Sequence, residues 1–175
     1  MKASHIWIAL AVALLAQTTI VSVLAGGGAP VDLVLVVVVF AALSRGPVIG
    51  LWTGTFGGLI QDALSGGVIG VSGLTKTVVG VLVGVAGAQF IVGTIWHRLV
   101  ILLAASVVHA FCYIGIYALI SPGNPVATLG MVGVQALVNA LVGILAEAGV
   151  RATTGLLERV RQRRRSPTRR RWTMS

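Results

Sequence analysis

Charge is scarce in this chain. Only 10% of its 175 residues are Asp, Glu, Lys or Arg, and just four of them are carboxylates. Soluble domains carry about 25% charged residues, so an ordinary globular protein is excluded. A single cysteine, Cys112, rules out an intrachain disulfide, and its place within an apolar run makes it a small buried hydrophobe. No second histidine or cysteine stands at ligand spacing from His109, so neither a metal nor any other cofactor is expected. What the chain does have is apolar: 57% of residues are hydrophobic and the mean hydropathy is +1.00. A domain this short buries only about two-thirds of its surface, so much of that apolar surface must face lipid.

A spanning helix needs about 20 apolar residues. Six segments are predicted to cross: about His5–Ala25, Val31–Ser44, Pro47–Leu64, Ser72–Ile95, Leu99–Ile120 and Val126–Val150. Val34–Val39 would suit a strand by propensity alone. It does not alternate as a barrel strand must, and lipid requires backbone groups to be paired within the segment, so a helix is expected. The predicted fold is therefore all-α: a polytopic six-helix transmembrane bundle over residues 1–150, followed by a basic, largely disordered tail over 151–175. Within that tail Thr153–Val160 is expected to extend helix six by a turn or two before Pro167 and the charge density give disorder.

Basic residues orient the bundle, because short cytoplasmic loops carry the excess of Lys and Arg. Lys2, Arg45, Arg98 and the nine-arginine tail mark one side. The alternate connections Gly26–Pro30, Ser65–Val71 and Ser121–Pro125 contain no Lys or Arg. Both termini are thus expected in the cytoplasm. Trp7, Trp52, Trp96 and Tyr117 read as interfacial anchors. A cleaved signal peptide ending near Val23-Leu24-Ala25 is the less favoured alternative, since its apolar core is longer than usual.

Gly46, Gly50, Gly54 and Gly58 recur every four residues, a spacing that lets two membrane helices approach closely. The ridge drifts about 40° per step on a 3.6-residue helix, which favours a crossing partner, within the chain or on another protein. It runs into a polar motif of Gln61, Asp62, Ser65 and Lys76, in which an Asp62–Lys76 ion pair is expected because charges within membranes are usually paired. Helix six carries a polar stripe of Gln135, Asn139 and Glu147, expected to face the bundle. Glu147 also has the spacing to pair with Arg151. His109 reads as a neutral hydrogen-bonding core residue. Gly70-Val71-Ser72-Gly73 looks like a rhomboid protease nucleophile segment, but topology puts Ser72 near the outer surface and His109 mid-bilayer, so no catalytic residue is assigned. In the tail, Arg161, Arg163, Arg164 and Arg165 belong to a cluster suited to anionic lipid rather than nucleic acid.

These motifs carry a resemblance. Pro30-Val31-Asp32-Leu33, Leu43-Ser44-Arg45-Gly46-Pro47, the glycine ladder and Gln61-Asp62-Ala63-Leu64-Ser65-Gly66-Gly67 together resemble the rod shape-determining MreD family. Gly70 through Gly80 continues the likeness. Val31 departs from the family's more usual Pro-Asp-Leu, and the arginine tail lies outside the pattern. The resemblance implies a non-enzymatic subunit of the elongation machinery in the bacterial inner membrane. It implies docking to a bitopic MreC-like protein and linkage of MreB filaments to the peptidoglycan synthase RodA and its transpeptidase. The family's fold is similar to that of vitamin-transporter substrate-binding subunits, which leaves a small-solute transporter component as the alternative.

Overall fold

A computed structural model of the chain describes residues 3–23, 31–66, 68–89, 95–120 and 129–165. Lys2, Gly26–Pro30, Ser121–Pro125 and Arg169–Arg171, all used above to orient the chain, lie outside the described residues. The described residues form six helices: α1 (Ala3–Val23), α2 (Leu33–Arg45), α3 (Pro47–Ser65), α4 (Val71–Gln89), α5 (Ile95–Ile120) and α6 (Leu129–Arg165). No strand occurs among them. Val71–Gln89, Trp96–Ile120 and Gly130–Gly149 are long and apolar enough to cross a membrane, while Ser4–Thr19 and Leu33–Arg45 are shorter apolar helices. The architecture is that of a helical membrane bundle, and the chain divides into two compact units, Met1–Gly143 and Ile144–Ser175.

In the first unit α2 is the core. Its Val-rich sequence is apolar on every side, and a helix of that kind is buried all round. Val34 and Val38 pack against Leu10 and Leu14 of α1. Leu35, Val36, Val39 and Ala42 join Val79 and Val83 of α4, Leu102 and Ala105 of α5 and Ala140 of α6. Thirteen residues rise only about 20 Å, less than a bilayer's hydrocarbon thickness. The shortness is tolerated because neighbouring helices, not lipid, surround it. Gly46 separates α2 from α3 by one residue at φ +88, a conformation that side chains disfavour, and Pro47 opens α3 at a position where no amide hydrogen is needed.

The glycine ladder is consumed within the chain. A methyl group built on Gly54 would lie 2.5 Å from the Lys76 carbonyl oxygen, and one on Gly58 would lie 2.5 Å from the backbone of Gly73. Gly50 faces Gly80 in the same way, and Gly84 faces Gly46 and Pro47. The order of these contacts makes α3 and α4 antiparallel, the most extensively packed pair. The expected crossing becomes a continuous seam of about 18 Å. The reason is that α4 carries its own small-residue series, Gly73, Gly80 and Gly84, so the two ridges wind together. Thr55 and Thr77 share a 2.7 Å hydroxyl contact across the seam.

The carboxy-terminal unit holds the end of α6, which takes in the Thr153–Val160 extension and stays helical to Arg165. Between Gly155 and Pro167 nothing breaks a helix, and arginine is a good helix former.

Substitution at the seam has a sharp contrast. Gly54→Val should destabilise the purified protein in detergent by about 3 kcal/mol, because the overlapped atoms are backbone and cannot move aside. Gly115→Ala, where an added methyl meets nothing, should instead stabilise by about 0.5–1 kcal/mol. Thermal or denaturant unfolding in one detergent would measure both.

Candidate functional site

Several of the buried polar groups among the described residues gather around Asp32. This residue immediately precedes α2, and its Oδ1 accepts from the Leu35 amide at 2.9 Å, capping the helix. Its Oδ2 accepts from Lys76 Nζ at 2.7 Å, while its own amide donates to Asn139 Oδ1 at 2.7 Å. Lys76 is 1% exposed and Asp32 3%, so the pair is withdrawn from any surrounding medium. Moving a charge into such a place costs several kcal/mol per ion after relaxation. The cost is offset only where geometry is close and the remaining hydrogen-bonding groups are filled.

Further groups come from three other helices, α5, α6 and α1. Lys76 Nζ lies 3.3 Å from His109 Nε2 on α5. An ammonium has donors only, so Nε2 must accept, which fixes a neutral ring carrying its proton on Nδ1. Asn139 of α6 passes its own amide hydrogen on to Ser106 Oγ of α5 at 3.1 Å. On the other flank Gln17 of α1 mimics a peptide group. Its Nε2 donates to the Val31 carbonyl at 2.8 Å and its Oε1 accepts from the Leu33 amide at 2.9 Å. All six side chains of this network are buried.

Asp62 belongs elsewhere, and the expected Asp62–Lys76 pair is corrected. Its Oδ2 accepts from the amides of Gly70 and Ser72 at 2.8 and 3.0 Å. The carboxylate thus holds the amide groups that open α4, where the helix dipole favours negative charge. Lys76, about 6 Å further along α4, meets Asp32 instead. Ser65 Oγ donates to the Asp62 carbonyl, and Gln61 is half-buried beside it. Ser72 therefore sits at the Asp62 cap while His109 sits at the Lys76 ammonium, each engaged with a different partner.

Other expected positions are more scattered. Gln135 is half-buried and Asn139 fully buried in the first unit, whereas Glu147 is buried in the second. Side chains of Arg151, Arg161, Arg163, Arg164 and Arg165 lie outside the described residues. Trp7, Trp52 and Trp96 are exposed, and Trp52 stacks on Phe56 with centroids 5.6 Å apart. Tyr117 accepts weakly from the Val68 amide at 3.4 Å and packs against Tyr113, which stacks in turn on His109.

Sequence reasoning missed Asp32 as the hub and Gln17 altogether. The signal for Asp32 was present: an acidic residue directly before an apolar helix is an N-cap, and a lysine deep in another span requires a counter-charge. Gln17 gave only the weaker sign of a lone amide in an apolar helix.

A family model described as rod shape-determining protein MreD matches residues 2–145. No curated protein and no solved structure matches the chain.

The network gives a discriminating set of substitutions. Lys76→Met, which strands the Asp32 carboxylate, should cost about 3–5 kcal/mol of stability. Asp32→Asn combined with Lys76→Met should recover most of that loss, since asparagine can still cap α2 and no charge remains buried. Exchanging the charges of Asp62 and Lys76 should give no recovery over either single change. Unfolding measured for these variants in one detergent would decide between the two pairings.

Proposed function

The chain belongs to the MreD family of rod shape-determining proteins, and from that membership we propose that it is a non-enzymatic scaffold of the cell-elongation machinery. Membership gives a role in rod-shape determination, and with three long apolar helices it makes the chain an inner membrane protein. The finer reading has six spans with both termini in the cytoplasm, consistent with basic residues recurring in alternate connections. In that arrangement the chain docks a bitopic MreC-like protein and, through it, links MreB filaments to RodA and its transpeptidase.

The observation that carries this reading is the closed polar network around Asp32 and Lys76. Its groups bond one another across α1, α2, α4, α5 and α6, which is how a membrane bundle is locked into one arrangement rather than how a reacting centre is presented to substrate. The interior holds shape, and work is done at the outer surface. With the α3 ladder already occupied by α4, a docking partner must use other faces of the bundle than Gly50–Gly58. The arginine-rich end of α6 completes the picture at the cytoplasmic surface, where each basic residue near anionic lipid contributes about 1 kcal/mol of attraction.

Depletion of the protein should turn rods into rounded cells, and an affinity-tagged copy should retain an MreC-like protein in mild detergent. Rods that persist after depletion, or a tagged copy that retains no such partner, would refute the scaffold. Lys76→Met should fail to restore rod shape with a reduced protein level, and adding Asp32→Asn should restore both.

A further inference from the structure

The packing between α4 and α5 is incomplete on one side of the Lys76–His109 contact. There a groove of about 180 Å³, open on one side, runs between Val79, Val83 and Ala86 of α4 and Ile101, Ala104 and Val108 of α5. Its walls are hydrocarbon, and the alanines create the room that larger side chains would fill. An apolar cavity of about 150 Å³ is enough to take up benzene, so this space accommodates several carbon atoms. Both helices are long and apolar enough to cross a membrane, which opens the groove toward acyl chains rather than water.

One end of the groove is marked by charge. Arg98, Ile101, Ala105 and Val108 follow one another at three- and four-residue steps, so Arg98 shares the groove-lining face of α5 one turn before the groove begins. Trp96, 70% exposed at the start of the same helix, places this end at the membrane interface. From Arg98 to Val108 the helix rises about 15 Å, the hydrocarbon depth of one leaflet. A guanidinium has five donors in a rigid fork suited to phosphate, so Arg98 can hold one in addition to contacts within the chain.

The geometry points to a binding site for a single anionic phospholipid, its acyl chain in the α4–α5 groove and its phosphate on Arg98. The occupant is a lipid and not a second helix, because the groove, about 10 Å long over Ile101–Val108, together with the turn that leads from it to Arg98 matches the depth of one leaflet and ends in a cation at headgroup level. This site is separate from the scaffold reading and would stand without it.

Native mass spectrometry of the full chain, with phosphatidylglycerol and the matching diacylglycerol as probes, tests the assignment. One phosphatidylglycerol should be retained per chain, in preference to diacylglycerol. Ala86→Leu with Ala104→Leu should fill the groove and lower retention about tenfold, a change equivalent to 1.4 kcal/mol. Arg98→Gln should abolish the preference while leaving diacylglycerol binding. Unchanged retention in the leucine variant, or an unchanged preference in the glutamine variant, overturns the site. Should the leucine variant fail to fold, phosphatidylglycerol bearing a photoreactive acyl chain is applied to the unaltered protein. Labelling within Ile101–Val108 supports the site. Labelling only elsewhere, or crosslinking of that stretch to a second chain, overturns it.

Discussion

The ion pair between Asp32 and Lys76 is the constraint from which the arrangement of the helices follows. A carboxylate and an ammonium withdrawn from water are tolerable only if their remaining hydrogen-bonding capacity is met by groups already in place. Asp32 meets it with the Leu35 amide, the Lys76 ammonium and, through its own backbone, the Asn139 side chain. Lys76 adds the His109 ring. Each partner comes from a different helix, so satisfying the pair brings α2, α4, α5 and α6 together, while Gln17 ties α1 to the backbone on either side of Asp32. A bilayer supplies little hydrophobic drive for helices to associate, since lipid tails are as apolar as leucine. Polar geometry therefore has an outsized say in which helices meet and in what register.

α3 contributes no side chain to that network, and its role is steric. Lys76 lies against Gly54 by its backbone, and a residue larger than glycine there would push α4 outward. The ammonium reaches a carboxylate 2.7 Å away only while α4 keeps its position. The seam of glycines and the ion pair are thus two parts of one device. Dispersion between closely approached backbones holds α4 against α3, and Asp32 fixes its rotation and register.

Much of the bundle was legible in the sequence because lipid leaves the chain few options. Scarce charge and long apolar runs give helices, and the six segments expected from hydropathy correspond to α1 through α6, although α4 ends at Gln89 rather than Ile95 and α6 runs on to Arg165. The Gly46–Gly58 ladder announced a close approach, though its partner was found only once α4's Gly73, Gly80 and Gly84 were seen to interlock with it. Lys76 announced a buried charge whose counter-ion a linear reading could not choose. Asp62 is nearer in sequence, yet an amide-rich helix start satisfies it locally, whereas Asp32 lies 44 positions upstream and is brought close by folding. Distance along the chain was the wrong guide because hairpin neighbours can be served by backbone donors. Helix over Thr153–Val160 was expected, and only its last turn to Arg165 was hidden, because clustered charge argues for disorder even where no residue breaks a helix.

Val31 shows how the network absorbs a departure from the family's usual pattern. One more residue between Pro30 and Asp32 would displace the carboxylate if the cap were set by its distance from the proline. The cap is set instead by contacts made after and around it, to Leu35, Lys76 and Asn139. The Val31 carbonyl is taken up by the Gln17 amide, which also accepts from the Leu33 amide and so ties α1 to the residues on either side of Asp32. What these contacts hold in place is the carboxylate at the start of α2.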